Sequence, residues 1–89
     1  MKPISDIVVA VADAYGMEPG RVTSRDRDRP TYIARGHAIW LSFLEGHDIR
    51  DICEAFRRDM TSVHAAMGAY HHHHAKGCCK HIDLRRIAG

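Results

Sequence analysis

Residues 49–70 read IRDICEAFRRDMTSVHAAMGAY, and this stretch predicts two short helices joined by a turn. In its first part, apolar side chains recur every three or four residues and form one stripe of a helix, at Ile49, Ile52, Cys53 and Phe56. Asp59 follows, and its carboxylate can accept hydrogen bonds from the free amides of a second helix that begins near Met60. This order of elements is typical of a helix-turn-helix.

The second helix combines an inward-facing side with a polar N-terminal end. Its apolar residues are spaced to pack inward, at Val63, Ala66, Met67 and Tyr70. Thr61, Ser62 and His64 remain near the exposed end, next to Arg57 and Arg58. Arginines contact phosphate and small hydroxyl groups reach base edges, so this arrangement favours a DNA groove as the partner. A plainer alternative is that the hydroxyl groups only begin the helix, which capping preferences alone explain.

Three motifs in this part of the chain resemble the C-terminal DNA-binding domain of DnaA, the bacterial replication initiator. The family signature runs Phe-Gly-Gly-Arg-Asp-His-Thr-Thr-Val, and the residues that match it are Arg58, Asp59, Thr61, Ser62 and Val63. Residues 49–56 are similar to the family's preceding helix, Leu-x-Glu-Ile-Gly-x-x-Phe. Upstream, Arg27, Arg29 and Arg35 stand where the family has an Arg-x-Arg loop that leads into an Arg-Gln-x-Ala-x-x-Leu helix.

The resemblance implies an all-α fold of about five helices with a helix-turn-helix, similar to the Trp-repressor class. It also implies sequence-specific binding of double-stranded DNA, with a recognition helix over about residues 60–72 in the major groove and the loop around Arg27 in the minor groove. The residues expected to contact bases are Arg27, Asp59, Met60, Thr61 and Ser62. Those expected to contact the DNA backbone are Arg25, Arg29, Arg35, Arg57, Arg58 and His64. One protomer of the family binds a non-palindromic site, so we expect a monomer on DNA.

The chain also departs from the family pattern. One glycine of the signature is missing, another is Arg57, the signature histidine is Met60, and the basic loop carries Asp26 and Asp28 between its arginines. We therefore expect a regulator of transcription or of phage-like gene expression. One alternative is a factor that binds replication origins or DnaA boxes. Another, suggested by the two aspartates, is a protein-interaction module that has lost its affinity for DNA.

Three further helices are predicted upstream of residue 49. The first covers Ile4 to Tyr15 and ends at Gly16. Met17 to Val22 can hold a short turn of helix that starts at Pro19, and the longest helix runs from Pro30 to about Glu45. Apolar spacing predicts that the longest helix buries Ile33, His37, Trp40, Leu41 and Leu44. The polar stretch between the second and third helices reads as an exposed loop.

Length and composition indicate one small domain. The chain has 89 residues and a formal charge of +2, so we expect one domain over residues 1–76 and a tail or short helix over residues 77–89. No phosphate-binding loop and no recognisable nucleophile setting occur, which predicts neither enzymatic activity nor a cofactor. Three cysteines do not suggest a disulfide framework, and no stretch approaches the length of a membrane span. We expect a cytoplasmic, nucleoid-associated bacterial protein whose partners are DNA and transcription or replication machinery, with no membrane partner.

A histidine run near the C-terminus raises the possibility of a zinc site. His71 to His74 precede Cys78, Cys79 and His81, and imidazole and thiolate groups are common zinc ligands. Consecutive histidines point in different directions around a helix, so the spacing is poor for one metal ion. We therefore predict no metal site, and a metal-responsive regulator remains the alternative.

Overall fold

The computed structural model describes residues 1–77 and 79–87. These residues form mainly helices that are joined by short connections. The elements are α1 (Ile4–Tyr15), α2 (Pro19–Val22), α3 (Arg29–Glu45), α4 (Ile49–Phe56), α5 (Met60–Ala75) and a 3-10 turn (Leu84–Arg86). The described residues contain no strand, and the predicted all-α class with five helices is confirmed. Cys78 and the last two residues of the predicted tail lie outside the described residues.

Short-range hydrogen bonds define the helix ends. Asp28, Asp48 and Asp59 each accept a first-turn backbone N–H with their side chains and so begin α3, α4 and α5. Gly16 (φ 67°) and Gly46 (φ 103°) end α1 and α3 in the left-handed conformation that glycine adopts at low cost. These boundaries agree with the sequence prediction, except that α5 continues to the end of the histidine run.

The core forms around α3, which contacts the other four α-helices. The predicted inward face of α5 is buried, whereas that of α4 is buried at Ile52 and Phe56 and only partly buried at Ile49 and Cys53. The prediction that Leu44 is buried is wrong, because its side chain is 52% exposed. Residues 33–39 are instead buried without interruption, since neighbouring helices surround the middle of α3 and leave its last turn open.

A glycine allows α3 and α5 to approach closely. A Cβ atom at Gly36 would lie 2.7 Å from the carbonyl oxygen of Ala66 and 3.2 Å from the Cβ of Tyr70. The first distance is well inside van der Waals contact, so any side chain at this position would push the two helices apart. The sequence analysis did not identify this requirement.

The Gly36→Ala substitution is expected to lower the free energy of unfolding by about 1–3 kcal/mol, because it overpacks the α3–α5 contact. Gly68→Ala is the matched control, since a Cβ there meets nothing within 4 Å. In the helical interior of α5 the control is expected to stabilise the protein by about 0.5–1 kcal/mol. Urea unfolding of both variants measures the difference, and equal effects would contradict the close approach of the helices.

The described part of the predicted tail packs back onto the helices. Ile87 is 9% exposed and belongs to the buried cluster that contains Ile7 and Val11. The backbone N–H of Lys80 donates to the hydroxyl oxygen of Tyr15, at 3.0 Å. This segment therefore covers one side of the core. No described helix is long and apolar enough to cross a membrane.

Candidate nucleic-acid interface

A concave surface opens between the α2–α3 loop, the α4–α5 turn and the start of α5. Its volume is about 710 Å³, and we call it the arginine cleft. The residues that line it are Arg25, Arg27, Tyr32, Arg35, Arg57, Arg58, Asp59, Ser62, Ala65 and Ala66. The fold thus brings together most of the residues that the sequence analysis selected, from separate parts of the chain.

The aspartates of the basic loop pair with an arginine outside the cleft. Arg21 Nη2 lies 2.9 Å from Asp28 Oδ2, and Arg21 Nε lies 3.8 Å from Asp26 Oδ2. The pKa of Asp28 is lowered below its usual value, first by the hydrogen bond from Thr31 and further by Arg21. Within the described residues, Arg25 and Arg27 form no ion pair. Their positive charges therefore remain available to an anionic partner.

Arg35 does not fit the prediction that it contacts the DNA backbone. Its side chain is only 3% exposed, because α3 directs it under the α2–α3 loop. Nε donates to the carbonyl oxygen of Val22 at 3.0 Å, and Nη2 donates to those of Ser24 and Asp26 at 2.5 and 2.9 Å. Burial lowers its pKa, although arginine remains protonated at any ordinary pH. The guanidinium group thus holds the loop in place from below.

Arg58 links the same loop to the helix-turn-helix. Its Nη2 donates to the carbonyl oxygen of Ser24 at 3.0 Å, so this one oxygen accepts hydrogen bonds from both Arg35 and Arg58. A guanidinium group has five N–H donors, and the half-buried Arg58 keeps others for the cleft. The loop that carries Arg25 and Arg27 is therefore tied both to α3 and to the turn before α5.

Arg57 occupies a backbone conformation that usually requires glycine. Its φ of 52° makes it the only non-glycine residue with a positive φ within the described ranges. It ends α4 in the left-handed region, which costs an ordinary side chain about 1–2 kcal/mol. The side chain is exposed and lines the cleft. The chain therefore places a cation where glycine would be more stable.

Asp59 and its neighbours form the exposed start of α5. Asp59 Oδ1 accepts the backbone N–H of Ser62 at 2.7 Å, so the predicted helix cap is confirmed. This hydrogen bond lowers the pKa of the Asp59 carboxyl group, which remains ionised at neutral pH. Thr61 and Ser62 are exposed, as are Met60 and His64. Contacts of these residues with DNA stay a prediction.

Some predicted contact residues lie outside the cleft, and three lining residues were missed, namely Tyr32, Ala65 and Ala66. Arg29, Met60, Thr61 and His64 are exposed but do not line the cleft. Tyr32, which the sequence analysis did not select, is 38% exposed and lines it. Its position three residues before Arg35 on α3 puts both side chains on the same face, which could have indicated this.

The histidine run contacts aromatic rings rather than converging on one point. The rings of His71 and Trp40 pack edge to face at 4.3 Å, and the rings of His74 and Tyr70 stack at 5.6 Å. No three histidine, cysteine, aspartate or glutamate side chains converge as metal ligands in the part of the chain that the structure describes. Cys78, which the zinc alternative includes, is not in that part.

Comparison with protein-family models, with characterised proteins and with solved structures returned no match for this chain. The likeness to the DnaA domain therefore depends on the three sequence motifs.

Proposed function

We propose that this protein binds double-stranded DNA in a sequence-specific manner through the arginine cleft and the exposed start of α5. The observation that carries the proposal is the grouping of Arg25, Arg27 and Arg57, which form no ion pairs within the described residues, beside the N-terminal end of a helix. DNA presents closely spaced phosphates, and contact with several cations supplies much of the affinity of DNA-binding proteins.

In this proposal the N-terminal half of α5 lies in the major groove, which is wide enough to admit a helix. Thr61 and Ser62 offer hydroxyl groups to base edges, and Met60 offers an apolar contact to a thymine methyl group. Asp59 caps the helix with one carboxylate oxygen and can accept a hydrogen bond from a cytosine amino group with the other. Arg57 and Arg58 then face the phosphates that border the groove.

The α2–α3 loop enters the adjacent minor groove in this arrangement. Narrow A·T-rich minor grooves have an enhanced negative potential that attracts arginine, and Arg25 and Arg27 are the exposed cations of the loop that line the cleft. Hydrogen bonds from Arg35 and Arg58 fix the loop before DNA arrives. A preformed loop loses less conformational entropy on binding, which favours affinity.

The biological role that we propose is regulation of transcription or of phage-like gene expression, by a monomer that acts on the bacterial nucleoid. Selection of bound duplexes from a random oligonucleotide pool, followed by titration of the selected duplex against salt, tests the proposal. We expect one enriched sequence and an affinity that falls steeply with salt, because each phosphate contact contributes about −0.9 to the slope of log K against log salt. Absence of enrichment together with a flat salt dependence would contradict it and favour a protein-interaction module.

The Arg57→Gly substitution is expected to stabilise the protein while it weakens DNA binding. Relief of the left-handed conformation should raise the free energy of unfolding by about 0.5–1 kcal/mol. Loss of the cation should reduce the salt slope by about one unit. Arg85→Ala is the control, since Arg85 pairs with Asp83 outside the cleft and should leave the slope unchanged. A stabilised variant with unaltered DNA binding would remove Arg57 from the proposed interface.

A further inference from the structure

A second cavity, of about 240 Å³, lies between α3, α5 and residues 79–82, and it shares no residue with the arginine cleft. We call it the histidine pocket. The lining residues that matter here are His37, Trp40, Leu44, Tyr70, Lys80 and Ile82. The proposed function uses none of them.

His37 presents an unpaired nitrogen to this pocket. The side chain is 2% exposed, and its Nδ1 lies 2.9 Å from the hydroxyl oxygen of Tyr15. Its Nε2 forms no hydrogen bond with any described residue. Nε2 is also not fully buried. Among the described residues, the only fully buried side-chain nitrogen without a hydrogen-bond partner belongs to His73. His37 lines the pocket, so Nε2 is the ring nitrogen that remains for a ligand there.

Tyr15 connects His37 to the segment that follows α5. The backbone N–H of Lys80 donates to the Tyr15 oxygen at 3.0 Å. In the tautomer in which the Tyr15 hydroxyl group donates to His37 Nδ1, the imidazole proton lies on Nε2. Burial lowers the pKa of His37 to about 4, so the ring is neutral at pH 7. In this tautomer His37 is a neutral N–H donor.

The other lining residues indicate which chemical class of ligand would fit the pocket. The rings of Trp40 and Tyr70 stack at 6.4 Å, and Leu44 and Ile82 add apolar surface. Lys80 supplies a positive charge, and no aspartate or glutamate lines this pocket within the described ranges. His74 and His81 add imidazole groups to the same lining. Aromatic and apolar surface beside basic groups, without a carboxylate among the described lining residues, suits a small flat molecule that carries an acidic group.

We propose that the histidine pocket binds a small aromatic carboxylate. The ring of the ligand contacts Trp40 and Leu44, a carboxylate oxygen accepts the Nε2 hydrogen of His37, and Lys80 supplies the counter-charge. This site acts independently of DNA binding, so the failure of either proposal leaves the other standing.

Trp40 is the only tryptophan of the chain and provides a direct signal for binding. Titration of the full chain with benzoate is expected to give a saturable change in tryptophan fluorescence, with a dissociation constant on the order of 1 mM, as suits a ligand of so few atoms. Benzyl alcohol, which has the same ring without the charge, is expected to bind roughly tenfold more weakly. Absence of saturation with benzoate, or equal binding of both compounds, would overturn the proposal.

Two exposed residues supply variants that add the same charge and leave the core intact. Leu44 is 52% exposed and lines the pocket, whereas Val9 on α1 is 53% exposed and does not. Leu44→Glu adds a negative charge beside the ligand and is expected to weaken benzoate binding at least tenfold. Val9→Glu adds the same charge, and it is expected to leave the midpoint of the titration within about twofold of wild type. Equal midpoints for the two variants would place any benzoate outside this pocket.

Discussion

Arg35→Met is expected to lower the free energy of unfolding by about 2–4 kcal/mol and to weaken DNA binding by at least tenfold. The substitution leaves the carbonyl groups of Val22 and Asp26 without this donor, and the carbonyl group of Ser24 keeps only the hydrogen bond from Arg58. It also loosens the loop that presents Arg25 and Arg27, so DNA would have to order the loop on binding. Urea unfolding and titration of the selected duplex measure the two effects.

A charge-conserving variant separates a positioning role for Arg35 from a phosphate contact. Lysine can hold a phosphate as a point charge, but it cannot place the planar fork of donors that reaches three carbonyl groups. We therefore expect Arg35→Lys to lose most of the stability and DNA affinity that Arg35→Met loses. Recovery of DNA affinity by lysine would instead show that the side chain meets phosphate.

The control for stability is Arg29→Met, on the same helix. Arg29 is exposed at the start of α3 and forms no hydrogen bond or ion pair within the described residues. Its replacement should change the free energy of unfolding by less than about 0.5 kcal/mol. A loss as large as that of Arg35→Met would mean that removal of any arginine from this helix destabilises the protein.

Acidification from pH 7 to about pH 4 is expected to lower the free energy of unfolding by about 3 kcal/mol, through His37 alone. Burial lowers the pKa of His37 from 6.5 to about 4, so the unfolded chain takes up a proton at a higher pH than the folded protein. Stability is therefore fully present above pH 6.5, and it falls as the pH drops toward the pKa of the folded state. Such a loss is a large part of the stability of a small domain.

Most other groups with lowered pKa values affect the free energy of unfolding at a more acidic pH. The pKa values of Asp28, Glu45, Asp59 and Asp83 lie below their ordinary values, so these carboxylates lose their contributions as the pH falls through the acidic end of the titration. The pKa of His73 is lowered in the same direction as that of His37, first by desolvation, so His73 adds to the loss of stability on acidification.

A variant at position 37 isolates the contribution of His37. His37→Gln keeps a hydrogen-bonding side chain but does not titrate, so its stability should vary much less between pH 6.5 and pH 4. Urea unfolding at several pH values gives both curves. Parallel curves for the wild-type protein and the variant would contradict the role of His37.

The position of Arg57 connects stability with the proposed binding of DNA. Its left-handed backbone costs stability that glycine would recover, and the exposed side chain enlarges the positive charge of the cleft. A residue that is unfavourable for the fold but favourable for a charged partner is typical of functional surfaces, where activity and stability compete. This trade-off makes Arg57→Gly informative, since its two expected effects have opposite signs.

The sequence by itself determined the helices and their ends. Apolar spacing predicted the buried faces of α4 and α5, and residues such as Asp59 and Gly46 marked helix ends. These features depend on hydrogen bonds and contacts between residues a few positions apart, so the local sequence contains all the information that they need. The exposure of Thr61 and Ser62 follows from the same local periodicity.

Only the tertiary structure decided which polar groups meet across the chain. The partners of Arg35 lie 9–13 residues away, and the chain of hydrogen bonds from Lys80 through Tyr15 to His37 spans 65 residues. Such partners depend on how the helices pack, and helical periodicity does not specify packing between distant segments. For that reason the sequence could select the arginines of the cleft, but it could not separate those that face solvent from the one that is buried beneath the loop.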